Sequence, residues 1–486
     1  MTDDGATFSR RAFLAGCTVA ALPATRRDPP TVRWVGETMS RAHRVLSGAF
    51  PTTSFEKDDK ARVVIVGAGP SGLAAAWRLL EAGVDDVVVL ELGEEPWGLL
   101  GRFRCGDAGL LPFGATEVDL GGSSTGVLRR LAASSAASRP ADASAALPRV
   151  VAMRRGDGRL VASGADANRD SFIDRWMATD ESAPDARASA VAAGATPETL
   201  RWLDFEVRRR FASKLADLDA TPVKALLDAM RRRPEAFVAP VGGPGVWFES
   251  VVTRLGERLR PRQVVGLVGS ESDGVSVYAL DAARGLTTRI RASSVVLAVP
   301  AIVAMRLSAA ASASRPSLHA PESVTRFVAA VGVRRLPIGA EAPGTRIDAG
   351  DDDGTYATVH PPGDGGGFLI VRTAFPYRAT GPSRAFLTAL DYDTGRDLAL
   401  ERLRRVVGGD VIPTRFDLWR VGHAGVRPGF GGGRGWVERT PMRKGVVLAG
   451  SDASGAPGFD TAVVSGVRGA QEAIGVVAGS KEDWLA

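Results

Sequence analysis

The chain has 486 residues, which is enough for two or three domains with large hydrophobic cores. Hydrophobic residues make up 45% of it and charged residues 24%, which excludes a disordered chain. The net charge of +6 comes mainly from arginines interspersed with acids, so nucleic acid is not an expected partner. The four histidines are scattered without metal-ligand spacing, and no metal site is predicted.

Residues 1–24 have the features of an export signal. Arg10 and Arg11 precede a mostly apolar stretch from Ala12 to Leu22, which resembles a twin-arginine signal. The twin-arginine export machinery is therefore an expected partner, and the expected location is periplasmic or otherwise extracytoplasmic. The box ending at Cys17 leaves a lipid anchor open as an alternative, but the stretch is too short for a stable membrane span.

The segment 25–60 is predicted to be a linker between the signal and the first domain. It is polar and contains prolines, and it includes one short amphipathic helix between Trp34 and Leu46. The ordered part of the chain is expected to begin near Ala61.

A strand, a helix and a second strand follow in quick succession. Arg62–Val66 is a short β-branched run typical of a buried parallel strand. Leu73–Ala82 is rich in alanine and leucine and ends before a glycine, which predicts a helix. Asp86–Glu91 is the next apolar strand. The spacing is that of a βαβ unit.

The first strand and the helix are joined by the loop Gly67-Ala68-Gly69-Pro70-Ser71-Gly72, a G-x-G-x-x-G pattern. Gly67 permits a tight turn, Gly69 lets a pyrophosphate approach the backbone, and Gly72 lets the helix pack on the strand. The helix N-terminus that begins at Pro70 and Ser71 offers free N–H groups to the phosphates. Glu91, 19 residues beyond Gly72, is placed to bind ribose hydroxyls and disfavours a 2′-phosphate.

Further along the chain, hydrophobic patterns with the periods of helices and of strands continue. Residues 131–146 are rich in alanine and serine and predict a loosely packed surface helix or loop. Helices are predicted over 197–219, from Thr221 onward and over 462–476, a strand meander over 263–299, and a strand over 445–450. The fold class is therefore α/β.

Near the C-terminus, Ala449-Gly450-Ser451-Asp452 closes a strand, and a helix begins soon after Pro457–Thr461. Here the chain resembles the flavin amine oxidase-like superfamily, which implies FAD as the cofactor. The resemblance places Gly450 and Asp452 near the ribityl chain and pyrophosphate, and the amides of Ala462 and Val463 at the pyrimidine edge of the flavin. There a helix N-terminus would stabilise negative charge on the reduced ring. It also implies that the backbone near Val265 holds the adenine.

A closer resemblance is to a bacterial branch of NAD(P)/FAD-dependent oxidoreductases, some of which carry twin-arginine signals. It rests on Leu111–Ala115, Trp202–Arg208, Gly422-His423-Ala424 and Ser465–Arg468. The resemblance implies a discontinuous Rossmann-like FAD domain and an α+β substrate domain of the amine oxidase type. The corresponding FAD segments are 61–155, 240–302 and 416–478, the substrate segments are 156–239 and 303–415, and 479–486 is a tail.

Two departures from the superfamily are visible. Its usual Gly-Gly-Arg is replaced by Trp97-Gly98, with Arg102 as the nearest arginine of a Gly-Arg pair, and Gly98 and Arg102 are assigned to the cofactor loop. Residues 301–420 contain no lysine, so the lysine of many amine oxidases near the reactive flavin nitrogen is missing.

The candidate catalytic residues are His423, Tyr356 and His360, since imidazole and phenol groups transfer protons. A structural role for His423 is an equal alternative. The predicted function is that of an exported FAD-dependent oxidoreductase that moves a hydride from a small organic substrate to flavin N5. Amines are one candidate substrate class, and O2 or a quinone is the expected electron acceptor. The alternatives are a desaturase or quinone-coupled dehydrogenase, and a non-catalytic flavin-binding scaffold.

Overall fold

The structure is a computed structural model, and its described residues are 31–35, 41, 55–104, 110–120, 125–135, 144–146, 151–154, 160–162, 169–179, 183–232, 237–240, 242–309, 323–336, 345–348, 354–360, 366–375, 380–408, 411–428, 442, 444–454 and 457–478. The predicted export signal at 1–24, with Cys17, and the predicted tail at 479–486 lie outside these ranges.

The described strands, in chain order, are β1 (Thr31–Trp34), β2 (Lys57–Val66), β3 (Val87–Leu90), β4 (Arg102–Arg104), β5 (Leu110–Pro112), β6 (Val118–Asp119), β7 (Ser144–Ala146), β8 (Val151–Arg154), β9 (Leu160–Ala162), β10 (Phe237–Pro240), β11 (Leu259–Arg260), β12 (Gln263–Ser270), β13 (Val275–Asp281), β14 (Leu286–Leu297), β15 (Ser323–Val333), β16 (Arg346–Asp348), β17 (Thr355–His360), β18 (Gly367–Phe375), β19 (Pro413–Val426) and β20 (Val446–Leu448).

The described α-helices are α1 (Pro70–Glu81), α2 (Thr125–Ser134), α3 (Arg169–Met177), α4 (Ala186–Ala192), α5 (Pro197–Phe211), α6 (Ala220–Arg232), α7 (Glu249–Leu255), α8 (Ala301–Ala309), α9 (Thr380–Ala389), α10 (Tyr392–Val407) and α11 (Phe459–Ala478). Short 3-10 turns connect several of them, including Gly98–Leu100 and Ser451–Ser454.

The first sheet contains the predicted βαβ unit. Its strand order is β11-β3-β2-β14-β13-β12. In addition, β20 pairs with the C-terminal end of β14, past the residues that pair with β13. Strands β11, β3, β2, β14 and β20 run parallel to one another, whereas β12, β13 and β14 form the predicted antiparallel meander. Helices α1 and α11 cover one face and α8 covers the other. A parallel sheet covered on both faces explains why its strands are unbroken apolar runs.

The second sheet has eight strands in the order β1-β19-β15-β18-β17-β16-β8-β9. One face is covered by α10, whose residues Leu398, Ala399, Leu403 and Val406 pack on it. The opposite face presents Ile370 and Trp419 to Leu111 and Phe113, which follow the dinucleotide unit in the chain. This second face is therefore turned toward the first sheet. Helices α3 to α6 form a separate hydrophobic cluster beside it.

The structure differs from the predicted linker at 25–60 in two places. Trp34 ends the strand β1, which pairs in parallel with β19, instead of beginning a helix; of residues 36–46, only Arg41 is described. Lys57–Lys60 belong to β2, because they pair with Thr288–Arg291 of β14. Tertiary pairing decides the conformation at an edge where the local pattern favoured a helix.

Most other predicted elements are present with changed bounds. The predicted strand at 62–66 and the predicted helices at 197–219 and 462–476 are present, and the helix predicted over 197–219 ends at Phe211. The predicted loose segment at 131–146 contains the end of α2, whose Leu131 is completely buried. β8 and residues 416–426 of β19 pair in the second sheet, although the sequence division placed them in the FAD domain.

Candidate dinucleotide-binding site

The C-terminal ends of β2, β14 and β20 meet at one edge of the first sheet. Gly67, just after β2, has φ +99, and a Cβ there would lie 2.5 Å from the Ala298 carbonyl that follows β14. A Cβ on Gly450, after β20, would lie 3.8 Å from the Val299 carbonyl oxygen. Ligands of open α/β sheets bind outside the carboxyl ends of the strands, so this edge is the candidate site.

Gly72 and Gly69 of the loop have different surroundings. A Cβ on Gly72 would overlap the Gly67 carbonyl oxygen at 1.8 Å, which keeps α1 tight against its strand. A Cβ on Gly69 would meet only the Gly98 Cα, at 3.9 Å, so the backbone of Gly69 borders open space. Gly69 is the N-cap of α1, with Pro70 and the buried Ser71 in the first turn, so the orphan N–H groups of the helix face that space. These residues fit a pyrophosphate.

Glu91 lies directly beside this loop. Its Oε2 accepts the Ala68 N–H at 2.7 Å and its Oε1 accepts the Gly93 N–H at 2.6 Å. Burial raises the pKa of its carboxyl, and the hydrogen bonds from Gly93 and Ala68 oppose that shift. The main chain at Gln263, two residues before the predicted adenine contact Val265, donates to the Glu91 carbonyl at 2.8 Å. The predicted ribose and adenine residues are thus neighbours.

The departure at Trp97 has a clear structural consequence. Trp97 has φ +120, a backbone conformation that favours glycine, and its N–H donates to the Ala68 carbonyl at 2.9 Å. A Cβ on Gly98 would lie 3.0 Å from the Gly69 Cα, so the two loops touch through backbone. Arg102 lies over the Trp97 ring at 4.5 Å and pairs with Glu249 at 2.8 Å. The Arg102 guanidinium therefore contacts the Trp97 ring and Glu249 beside the loop.

The C-terminal segment completes the edge. The Gly450 N–H donates to Ser465 Oγ at 3.0 Å, which ties the end of β20 to α11. Asp452 Oδ2 accepts the Ala301 N–H at 3.0 Å at the start of α8, and burial raises the pKa of Asp452. Ala462 and Val463 are buried in the first turns of α11. Asp452 is therefore also a helix cap, a role that the sequence did not predict.

His423 lies in a bulge of β19. Val324 pairs with Gly425 and Arg326 with Val421, so Gly422–Ala424 stand opposite a single residue. Arg384 Nη2 lies 2.8 Å from His423 Nδ1, and its Nε donates to the Gly422 carbonyl at 2.9 Å. Because a guanidinium can only donate, Nδ1 accepts, and the proton of the neutral imidazole is on Nε2. Any proton exchange by His423 must therefore use Nε2.

Tyr356 and His360 lie on β17, on the sheet face turned toward the first domain. Tyr356 pairs across the sheet with the buried Arg372, whose guanidinium is 5.8 Å from the Tyr356 ring. Burial, and then the charge of Arg372, lowers the pKa of His360 to about 4. Within the described part of the chain, His360 Nε2 is buried without a hydrogen-bond partner. These two residues are separated along the sheet from His423, which is in another strand.

A buried ionic cluster that the sequence did not predict joins the start of β6 to α5 and β16. Glu117, just before β6, pairs with Arg209 and Arg210 of α5 and with Arg346 of β16. Burial alone would raise the pKa of Glu117, but the charges of the three arginines lower it well below its ordinary value. The run Arg208-Arg209-Arg210 was a visible signal for it in the sequence, but its acidic partner is 92 residues away.

No group of three or more histidine, cysteine or acidic side chains among the described residues could hold a metal ion. None of the helices in the described ranges is long and apolar enough to cross a bilayer.

Comparison with known proteins supports the first sheet as a nucleotide-binding unit. A family model described as an NAD(P)-binding Rossmann-like domain matches residues 65–123, which include the glycine loop and Glu91. Thiamine thiazole synthase from Aeropyrum pernix is 47% identical over 45 residues, which are 9% of this chain. The match spans only 16% of that relative's length, so it concerns one segment.

Solved structures are similar over most of the chain. A putative protoporphyrinogen oxidase from Exiguobacterium sp. 255-15 has a TM-score of 0.60 at 15% identity, covering 87% of this chain and 99% of the other. Cyclohexylamine oxidase from Brevibacterium oxydans IH-35A has a TM-score of 0.58 at 16% identity, covering 86% and 99%. At this identity the likeness concerns the fold alone. The chain has a mixed α/β fold with a Rossmann-like domain, and its fold is similar to that of cyclohexylamine oxidase.

Proposed function

We propose that the chain binds FAD at the edge where β2, β14 and β20 end, and that it is an oxidoreductase. The observation that carries the proposal is the convergence at one edge of the unit that holds Gly69 and Glu91 with the Gly450–Asp452 segment, which lies far along the chain. A Rossmann unit alone is common to many dinucleotide enzymes. The third segment, with the N-terminus of α11 behind it, supports a flavin beyond the pyrophosphate.

The chain's own residues have distinct tasks in this proposal. The glycine loop and the first turn of α1 bind the pyrophosphate, and Glu91 accepts hydrogen bonds from the adenosine ribose. The resemblance assigns the amides of Ala462 and Val463 to the pyrimidine edge, but the Ala462 N–H donates to the Gly458 carbonyl at 3.1 Å. The N-terminus of α11 would therefore favour negative charge at that edge through its dipole. When bound, FAD supplies the redox chemistry by taking a hydride at N5 from a small organic substrate.

The second sheet provides the substrate side of the site. Its face with Tyr356, His360 and Trp419 is turned toward the cofactor domain. His360 is neutral at ordinary pH because its pKa is lowered to about 4. It would therefore act as a neutral hydrogen-bonding group and not as a cation. Amines are one substrate class to test, since cyclohexylamine oxidase shares the fold; O2 or a quinone would be the electron acceptor.

Export belongs to the same proposal. The paired Arg10 and Arg11 before the apolar stretch support transport by the twin-arginine machinery to a periplasmic or other extracytoplasmic location. Replacing both arginines with lysine should retain a tagged protein in the cytoplasm. Unchanged export of that variant would contradict the proposed route.

The visible spectrum of the purified protein tests the cofactor. We expect bound oxidised flavin, released as FAD on denaturation, and bleaching of its absorbance when a substrate is added without air. Protein that carries no flavin even after reconstitution would contradict the whole proposal. Bound flavin that no compound in a broad panel of amines, alcohols and acids reduces would favour the scaffold alternative.

The position of proton transfer is tested separately. His423→Ala should leave FAD bound and slow its reduction, whereas His319→Ala is a control histidine variant outside the described ranges. An unchanged rate of reduction in the His423 variant would assign that histidine the structural role.

A further inference from the structure

Arg41 belongs to the stretch predicted as a linker, and its side chain contacts the turn that follows Glu91. Its Nη1 donates to the Leu92 carbonyl at 2.7 Å, and its Nη2 lies 3.4 Å from Glu94 Oε1. The Arg41 side chain is 19% exposed, whereas that of Glu94 is 72% exposed. The bond to Leu92 is therefore the protected one, and it joins segments 51 residues apart.

The turn that Arg41 contacts is the one that orients the Glu91 carboxylate. The Gly93 N–H donates to Glu91 Oε1, and the Gly93 carbonyl accepts the Arg262 N–H at 2.8 Å. Arg41 holds the peptide just before Gly93 from the other side. The turn thus fixes one oxygen of the carboxylate, and the Ala68 N–H of the glycine loop fixes the other.

Charge gives a second reason for the position of Arg41. Burial raises the pKa of Glu91, which works against the ionised form, and the positive charge of Arg41 acts in the opposite direction. An ionised carboxylate accepts hydrogen bonds from ribose hydroxyls more strongly than a neutral one. The arginine thus favours the form of Glu91 that a ribose needs.

The same N-terminal segment is anchored to the other domain. β1 pairs with β19 along Thr31–Trp34, and the Arg420 guanidinium lies 4.6 Å from the centre of the Trp34 ring. Within about ten residues, the chain contacts both the edge of the second sheet and the adenosine end of the candidate site.

We propose that Arg41 is a positioning residue for the adenosine half of the cofactor. This inference rests on the proposed binding of FAD. It predicts that the bond from Arg41 to the Leu92 carbonyl and the binding of FAD favour each other, because linkage is reciprocal.

Titration of the full-length apoprotein with FAD, followed by quenching of flavin fluorescence, tests the inference. Arg41→Met should weaken binding about tenfold, which is about 1.4 kcal/mol. Arg41→Lys keeps the charge and should recover part of the loss. Glu94→Gln should bind as the wild type does, since the exposed ion pair contributes little. Arg396→Met, which removes an arginine in exposed ion pairs on α10, is the matched control.

A double-mutant cycle separates positioning from general destabilisation. If Arg41 acts through Glu91, Arg41→Met should have little further effect on the dissociation constant in a Glu91→Gln background. Fully additive losses would contradict the proposed route. Equal FAD affinity of wild type and Arg41→Met would overturn the inference while leaving FAD binding itself intact. A wild type that binds no FAD would instead overturn the proposed function.

Discussion

The buried cluster around Glu117 offers the sharpest test of how the start of β6, α5 and β16 are held together. Glu117 has a side-chain exposure of 5% and contacts three guanidiniums, from α5 and β16. Glu117→Gln keeps the shape and removes the charge. Arg209, Arg210 and Arg346 would then share Glu206, which pairs with Arg209 at 2.5 Å.

The expected magnitude follows from the geometry. At the 3.1 Å between Glu117 Oε2 and Arg210 Nη2, two unit charges attract by about 5 kcal/mol at an effective dielectric constant of about 20. Three such attractions are opposed by the desolvation of the carboxylate and by the mutual repulsion of the arginines. Breaking a buried ion pair by removing one partner typically costs about 3–5 kcal/mol, and we expect a loss in that range.

Urea unfolding followed by tryptophan fluorescence measures the effect, with Glu401→Gln as the control. Glu401 forms a partly exposed pair with Arg405, and its loss should change the free energy of unfolding by less than about 1 kcal/mol. A loss for Glu117→Gln no larger than for Glu401→Gln would refute the reasoning.

The pH dependence gives the same test a second readout. The folded pKa of Glu117 lies below its ordinary value of 4.5, so its contribution to stability is present above that pH. The contribution is lost as the pH falls from 4.5 toward the folded pKa. The difference in stability between wild type and Glu117→Gln should therefore shrink in acid. A difference that stays constant down to the acid limit of folding would contradict the assigned ionisation.

Three further predictions concern the site. Gly69→Ala should fold normally and weaken FAD binding about tenfold, whereas Gly72→Ala should lower stability by about 1–3 kcal/mol because its Cβ would overlap a carbonyl oxygen; equal melting temperatures of the two variants would contradict the loop geometry. The pKa of His360, lowered to about 4, predicts that its NMR signals show no titration near 6.5, and that its contribution to stability falls as the pH drops from 6.5 toward 4. In 15N spectra, His423 should be the neutral Nε2–H tautomer, and a proton found on Nδ1 would contradict the bond from Arg384.

The parts of the fold that the sequence predicted are those encoded by local patterns. The glycine loop, the strand on each side of α1 and the position of Glu91 all fall within about thirty residues, the span of one βαβ unit. Hydrophobic period and turn chemistry act over this range, so strand, loop and helix could be placed from the residues alone. The meander over 263–299 was recognisable for the same reason.

The contacts that the sequence did not predict join remote segments. Arg41 and Leu92 are 51 residues apart, and Arg384 and His423 are 39 residues apart. Nothing in the local pattern around an arginine indicates which carbonyl or imidazole it will contact, because its long side chain has many rotamers and any acceptor satisfies it. β1 is another case, since its pairing with β19 depends on an open sheet edge far along the chain.

The loop at Trp97 shows how the structure resolves a departure that the sequence could only mark. A tryptophan at φ +120 carries backbone strain of about 1–3 kcal/mol, which contacts of its ring must offset. The ring packs against the core of the first domain and under Arg102, a cation–π contact worth about 0.5–2 kcal/mol. The close approach to Gly69 is made by the next residue, Gly98, where a Cβ would crowd the Gly69 backbone. Gly98, where a side chain would crowd the Gly69 backbone, is therefore retained as glycine. Trp97 stands at the replaced position, where packing of its ring can offset the strain.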